Sequence, residues 1–229
     1  MFEGDQLVIG ISDFGELDWK NPSPPRPGST GQGYGFEYKA ARASSDSGPA
    51  GAAAESLAVG WNGEGYVIYY DGKTVYSYPD SSSPGIVPVS KMVVLDTPDE
   101  AVYRVIVRTD DNVLKITHTF KFDKHSRSVF LTTNIANVSG RFIGEVKYKR
   151  VVDWDANGGP GDDIRWAFDP AHFLISTVDP PSGGTGTYFS YGVAATGDSW
   201  PMVYDWDLNA WDDYTSIDHG SSWLQNGPD

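Results

Sequence analysis

Aspartates spaced two apart on a sharply turning backbone are what a hard divalent cation needs, and this chain offers the arrangement twice. Asp153, Asp155 and Asn157, followed by Gly158, reproduce the first half of a calcium loop, in which several oxygens must converge on one ion. Where a helix-loop-helix calcium site would close with a bidentate glutamate stands Ile164, so acidic closure falls to Asp162 or Asp163. The second occurrence, Asp205, Asp207 and Asn209, has Ala210 in place of the glycine and again ends in paired aspartates, Asp212 and Asp213. The spacing predicts calcium loops of a β-protein, not an EF-hand. The competing reading is a pair of solvated Asp/Asn/Gly turns, which need no ion because such side chains bond their own backbone.

Aromatic residues supply a second kind of chemistry. The chain has 8 Trp and 13 Tyr, and Trp61, Trp200, Trp206 and Trp211 fall in or beside loops, where a flat ring could stack on a sugar. The alternative is that strand-rich proteins use aromatics in cores and edges for packing alone. A glycoside hydrolase or polysaccharide lyase would need two carboxylates of separated pKa across a cleft. Asp153, Asp155, Asp205 and Asp207 are the set available, and nothing in their spacing separates catalysts from ligands. There is no nucleophile elbow, phosphate loop or His/Glu metal motif, so a non-catalytic role is the expectation.

Composition narrows the classes further. With 31 acidic against 17 basic residues the net charge is -14, which argues against nucleic acid and anionic membrane as partners. The chain has no cysteine, which excludes disulfides and thiolate metal sites, and its 4 histidines are too scattered for zinc. No run is long or apolar enough to cross a bilayer, and the N-terminus lacks the basic start and apolar stretch of a signal peptide. An exported protein of this kind would have lost its signal or be a fragment of a longer precursor.

The elements that must position these residues read as strands. With 229 residues, 26 Gly, 15 Pro, 14% aromatics and no sustained helical periodicity, the chain fits one all-β domain over residues 1–229, an antiparallel β-sandwich of supersandwich or jelly-roll type. Residues 6–12 read as a first strand, and residues 21–35 and 40–54 as long Pro/Gly/Ser-rich or small-residue loops, with a short helical turn conceivable at 50–57. Asp71-Gly72 between aromatic strands is a strong hairpin signal. Residues 86–95, 101–109, 113–122 and 128–137 continue as an antiparallel meander with turns at 97–100, 110–112 and 123–127.

Alternation places Leu114, Ile116, His118, Phe120 and Phe122 on one face and Lys115, Thr117, Thr119 and Lys121 on the other. A lone histidine on an apolar face is expected to be a hydrogen-bonded core residue. Arg150 also falls on an apolar side, between Tyr148 and Val152, and calls for a partner, with Asp153 or Asp169 as candidates. The alternation that puts Val146, Tyr148, Val152 and Trp154 on one side and Lys147, Lys149, Asp153 and Asp155 on the other should bury Trp154 and lead into the first acidic loop. Shorter strands follow at 165–168, 172–178 and 188–195.

The run Asn134-Ile-Ala-Asn-Val-Ser-Gly, followed by Glu145-Val-Lys-Tyr-Lys-Arg-Val-Val-Asp-Trp-Asp, resembles a pattern found in secreted microbial β-sandwich surface proteins. There an N-x-x-G turn precedes a strand close to V-R-Y-R-R-V-M-D-W-D. The match covers residues 129–155, with weaker echoes at residues 8–15 and 59–61. It departs in Val152 for Met and in the Gly-rich insertion at 157–161. The resemblance implies an extracellular or cell-surface location more than an activity.

The expected function is therefore a non-catalytic extracellular structural or adhesion module of a surface or filament protein, its acidic loops stiffened by calcium. A carbohydrate-binding module is the alternative, and an enzyme a more distant one. Asn137-Val-Ser139 fits an N-glycosylation acceptor. Trp223-Leu224 opens an apolar alternation that soon breaks off, as if an edge strand were missing. Self-association by strand exchange, with residues 6–12 as donor, would supply it.

Overall fold

The computed structural model describes residues 2–5, 7–17, 36–38, 64–77, 83, 85–126, 128–152, 164–169, 174–178, 188–192, 204–205 and 222–223. Among these residues there is no helix, and every strand pairing is antiparallel. The chain opens with β1 (Phe2–Glu3), β2 (Leu7–Ile9) and β3 (Phe36–Tyr38), hydrogen-bonded in that order. The first strand is shorter than its sequence suggests because Ser12 turns the chain. Its hydroxyl accepts from the Phe14 and Glu16 amides at 3.0 and 3.2 Å, a local side-chain bond that competes with extension. β2 sits between β1 and β3, with Leu7 and Ile9 buried in the chain's own core.

β4 (Glu64–Tyr70) and β5 (Lys73–Ser77) form the hairpin that Asp71-Gly72 announces. Both turn residues have positive φ, 47° and 80°, the type I′ geometry whose twist matches the flanking strands. β6 (Ile86–Asp96), β7 (Glu100–Thr109), β8 (Leu114–Asp123) and β9 (Val129–Asn137) then lie side by side in chain order, the predicted meander. Its turns are closed by side chains. Thr97 accepts from the Glu100 amide at 3.0 Å, and the Thr109 hydroxyl accepts from the Val113 and Leu114 amides at 3.1 and 3.0 Å.

Alternation along β7 and β8 sends Val105, Val107, Leu114, Ile116, Phe120 and Phe122 inward, each at most 2% exposed. They join Tyr66, Ile68, Tyr70 and Val75 of the hairpin, and Phe2, Leu7 and Ile9 of the first strands, in one continuous cluster. Burying each large side chain contributes about 1.5 to 3 kcal/mol, so this shared cluster holds the sheets together.

After β9 the chain leaves the meander. Asn137 makes an Asx turn, its Oδ1 accepting from the Ser139 amide at 3.0 Å while its amide nitrogen donates to the Arg141 carbonyl at 2.6 Å, and Gly140 takes φ 73°. This is why an N-x-x-G series suits the position. β10 (Val146–Val152) then pairs along its whole length with β4, giving a three-stranded sheet in the order β10-β4-β5. Further on, β11 (Ile164–Asp169), β12 (Leu174–Val178) and β13 (Tyr188–Gly192) form a sheet in chain order, and β14 (Tyr204–Asp205) pairs with β15 (Ser222–Trp223). The predicted loops at 21–35 and 40–54, the helical turn at 50–57 and Trp154 lie outside the described residues.

Candidate functional site

The structure places the two acidic segments only at their entrances. β10 is described as far as Val152, one residue before Asp153. Asp205 is the last residue of β14, opposite Ser222. Asp153, Asp155, Asn157, Asp162, Asp163, Asp207, Asn209, Asp212 and Asp213 lie outside the described residues, as do Trp61, Trp200, Trp206 and Trp211. Among the described residues no group of three or more His, Asp or Glu side chains is placed to hold a metal ion.

What the structure does bring together is a polar seam between the sheets, below the start of the first acidic segment. His118, on the inward face of β8, is fully buried, its ring tilted 48° against the Tyr66 ring of β4 with centroids 4.8 Å apart. Its Nδ1 meets the Thr133 hydroxyl at 3.1 Å, and Thr133 meets the Tyr148 hydroxyl of β10 at 3.3 Å. Burial pushes the imidazole pKa down to about 3, so the ring is neutral at ordinary pH. Its Nε2 is shielded and has no hydrogen-bond partner among the described residues. The spacing predicts a core histidine, and that is what stands here, though only one of its nitrogens is satisfied.

The Ser12 turn plugs the seam from the side. Gly15 has φ 86°, and a Cβ there would fall 2.3 Å from His118 Cδ2, so only glycine lets the turn close on the ring. The Gly15 carbonyl accepts from Arg150 Nη2 at 2.9 Å, and Arg150 Nη1 donates to the Tyr148 hydroxyl at 3.2 Å. The guanidinium lies 5.9 Å from the ring centres of Tyr66 and Phe120. The partners of Arg150 thus include a carbonyl, a phenol and two ring faces; Asp153 and the side chain of Asp169, the expected partners, lie outside the described residues. Tyr66 donates to the Phe14 carbonyl at 2.8 Å, and burial, with the nearby Glu16 charge, raises its pKa well above the usual tyrosine value.

Glu16 itself is 2% exposed and accepts from the Ser77 hydroxyl, which in turn meets Ser83 at 3.0 Å. Sequence reasoning missed this buried carboxylate; the Ser-x-x-x-Glu spacing at the turn was the available signal. The histidine is neutral and enclosed, and the carboxylate is buried and bonded. The seam locks the turn to both sheets.

A second polar cluster closes the end of the hairpins. Asp111 accepts from the Tyr70 and Thr109 hydroxyls at 2.8 and 2.7 Å, the Val113 amide at 3.1 Å and Lys73 at 3.2 Å. Burial alone would raise its pKa, but these donors outweigh it and hold the carboxyl at about 2. Lys73 also pairs with Asp110. The four donors saturate Asp111, so it ties two hairpins together and leaves no open coordination position. No family model matches the chain, and no curated protein or solved structure matches it either.

Proposed function

We propose that this chain is a non-catalytic extracellular module, a β-sandwich of jelly-roll or supersandwich type, that serves a surface or filament protein and is stiffened by calcium in its acidic loops. The observation that carries the reading is the placement of β10. A strand paired over its full length with β4, anchored by Tyr148 and Arg150 in the seam, delivers the chain at Val152 directly before Asp153-x-Asp-x-Asn-Gly. A loop that must hold an ion at fixed geometry profits from so rigid a support. The resemblance of residues 129–155 to secreted microbial surface proteins supports the location, and the Asn137 turn and β10 give its two halves a physical basis.

The described titratable groups favour a binding or structural role over catalysis, since the perturbed ones are either buried and bonded or tied into ion pairs. Calorimetric titration of the folded chain with calcium tests the proposal. Saturable binding that disappears in Asp153→Ala/Asp155→Ala is the expected outcome. Absence of binding at millimolar calcium, or release of reducing sugar from polysaccharides by the purified chain, would overturn it.

A further inference from the structure

A sheet adds a further strand at its edge, and the second half of β6 is an edge suited to one. β6 comes first in the order β6-β7-β8-β9, and among the described residues no strand pairs with its other side. Five of the nine large apolar side chains that stand exposed among the described residues lie on it: Val89, Met92, Val93, Val94 and Leu95, each 40% to 55% exposed. An apolar edge left open invites association, and natural sheets blunt such edges with proline, bulges and charges. Pro88 and the bulge between Pro88 and Ser90 do this for the first half of the strand. Residues 91–96, Lys-Met-Val-Val-Leu-Asp, contain no proline and carry charge only at their two ends.

Those ends have opposite signs, so the stretch run antiparallel to itself is its own complement. Lys91 falls against Asp96 of the copy, Met92 against Leu95 and Val93 against Val94. A second bulge, between Val93 and Leu95, makes the match geometrically possible. In an unbroken strand, residues five apart point to opposite faces, and Lys91 could not meet Asp96 of a symmetric copy on one face. The extra residue in the bulge restores the agreement. Lys91 and Asp96 both stand opposite buried residues of β7, Val105 and Ala101, while Met92 and Leu95 both stand opposite the outward Arg104 and Val102. The charged ends also keep spare bonding capacity. Lys91 donates to the Ile11 carbonyl and pairs with Asp13, both at 2.9 Å, and a lysine ammonium has a third N–H to give. Asp96 meets Lys124 through one carboxylate oxygen, which leaves the other to accept.

We propose that β6 is an interface for a second copy of this chain, residues 91–96 pairing antiparallel with the same residues of that copy across a two-fold axis. The two meanders then join into one continuous sheet, and the pairing closes on itself as a dimer. Charge selects the occupant. An unrelated apolar strand would have to bring an acid and a base at the right separation, whereas a second copy supplies both by symmetry. A six-residue pair buries less than the roughly 1,200 Å² of a stable interface, so the dimer is reversible and depends on concentration. The net charge of -14 on each copy opposes approach, but beyond about 8 Å it is screened at physiological ionic strength. The inference does not rest on calcium in the acidic loops.

Sedimentation velocity in chelator, at physiological salt and from about 10 µM to about 1 mM protein, tests it. Wild type should pass from monomer to dimer across that range. Lys91→Asp and Asp96→Lys should each weaken dimerisation about tenfold or more, because each sets like charges together at both ends of the pair. Mixing the two variants should restore a dimer, since each end again joins an acid to a base, and Lys91→Asp/Asp96→Lys in one chain should do the same. Hydrogen exchange on wild type gives a reading that needs no variant: the amides of residues 91–96 should exchange more slowly as concentration rises. A wild type that stays monomeric throughout overturns the proposal and leaves the edge to a strand of another kind. So does a dimer that either single substitution leaves unchanged, a mixture of the two that stays monomeric, or exchange at residues 91–96 that ignores concentration. Working in chelator keeps these results separate from any failure of calcium binding.

Discussion

Acid should unfold this protein earlier than its carboxylates alone require, because of His118. The ring is fully buried and its pKa is pushed from 6.5 down to about 3 by burial, so the folded state cannot accept a proton that the unfolded chain takes readily. The folded pKa is the lower one; stability is therefore complete above about pH 6.5 and is lost as pH falls toward 3. Each pH unit inside that window removes about 1.4 kcal/mol, so acidification to about pH 4.5 costs about 2 to 3 kcal/mol. His118→Gln keeps a side chain able to bond Thr133 but does not titrate. It should be less stable than wild type at neutral pH by about 1 to 2 kcal/mol through lost packing on Tyr66, yet lose correspondingly less on acidification. His125 works in the opposite direction. Its exposed ring is raised by bonds to Asp5 and Asp99, a contribution present at low pH and lost as pH rises through its folded value. Urea denaturation of both proteins between about pH 7 and 4.5 reads the difference, and other titrations cancel in the comparison. Parallel stability curves would refute the reasoning.

Gly15→Ala should cost about 2 to 4 kcal/mol, since it combines a positive φ with a Cβ driven into the His118 ring; a variant as stable as wild type by urea denaturation would show that the turn does not close on the seam. Asp111→Ala should destabilise by about 1 to 3 kcal/mol by stripping the Tyr70 and Thr109 hydroxyls and the Val113 amide of their acceptor. The Asp111 share, whose folded pKa is depressed to about 2, is present above about pH 4 and lost as pH falls through 2. Near-identical acid limbs for wild type and Asp111→Ala would contradict it.

The meander was legible because its signals are local. Asp71-Gly72 fixes a two-residue turn by backbone sterics, and the alternation of 114–122 is written in residue types. The same alternation already set Lys115 and Lys121 on one face; only the register adds Arg104 and Arg108 beside them. The seam was not legible, since it depends on contacts across long separations. Arg150 meets a carbonyl of residue 15, and Ser77 meets Glu16, pairings that no periodicity encodes. The switch of β10 from the meander to β4 is likewise a tertiary choice. Sequence offers a strand there, but only the shared core decides which edge it joins. The shortened first strand reflects local competition, in which the Ser12 hydroxyl captures amides that a longer strand would have used.

The most direct test of the proposed module is its melting temperature in calcium and in chelator. Extracellular calcium sites bind in the range of about 0.1 to 1 mM, so several millimolar calcium should stabilise the folded state by about 1 to 2 kcal/mol. For a domain of this size that is a rise of roughly 2 to 8 °C. The account predicts that rise in wild type, reversal by chelator and no rise in Asp153→Ala/Asp155→Ala. Melting curves that coincide in calcium and chelator would contradict it.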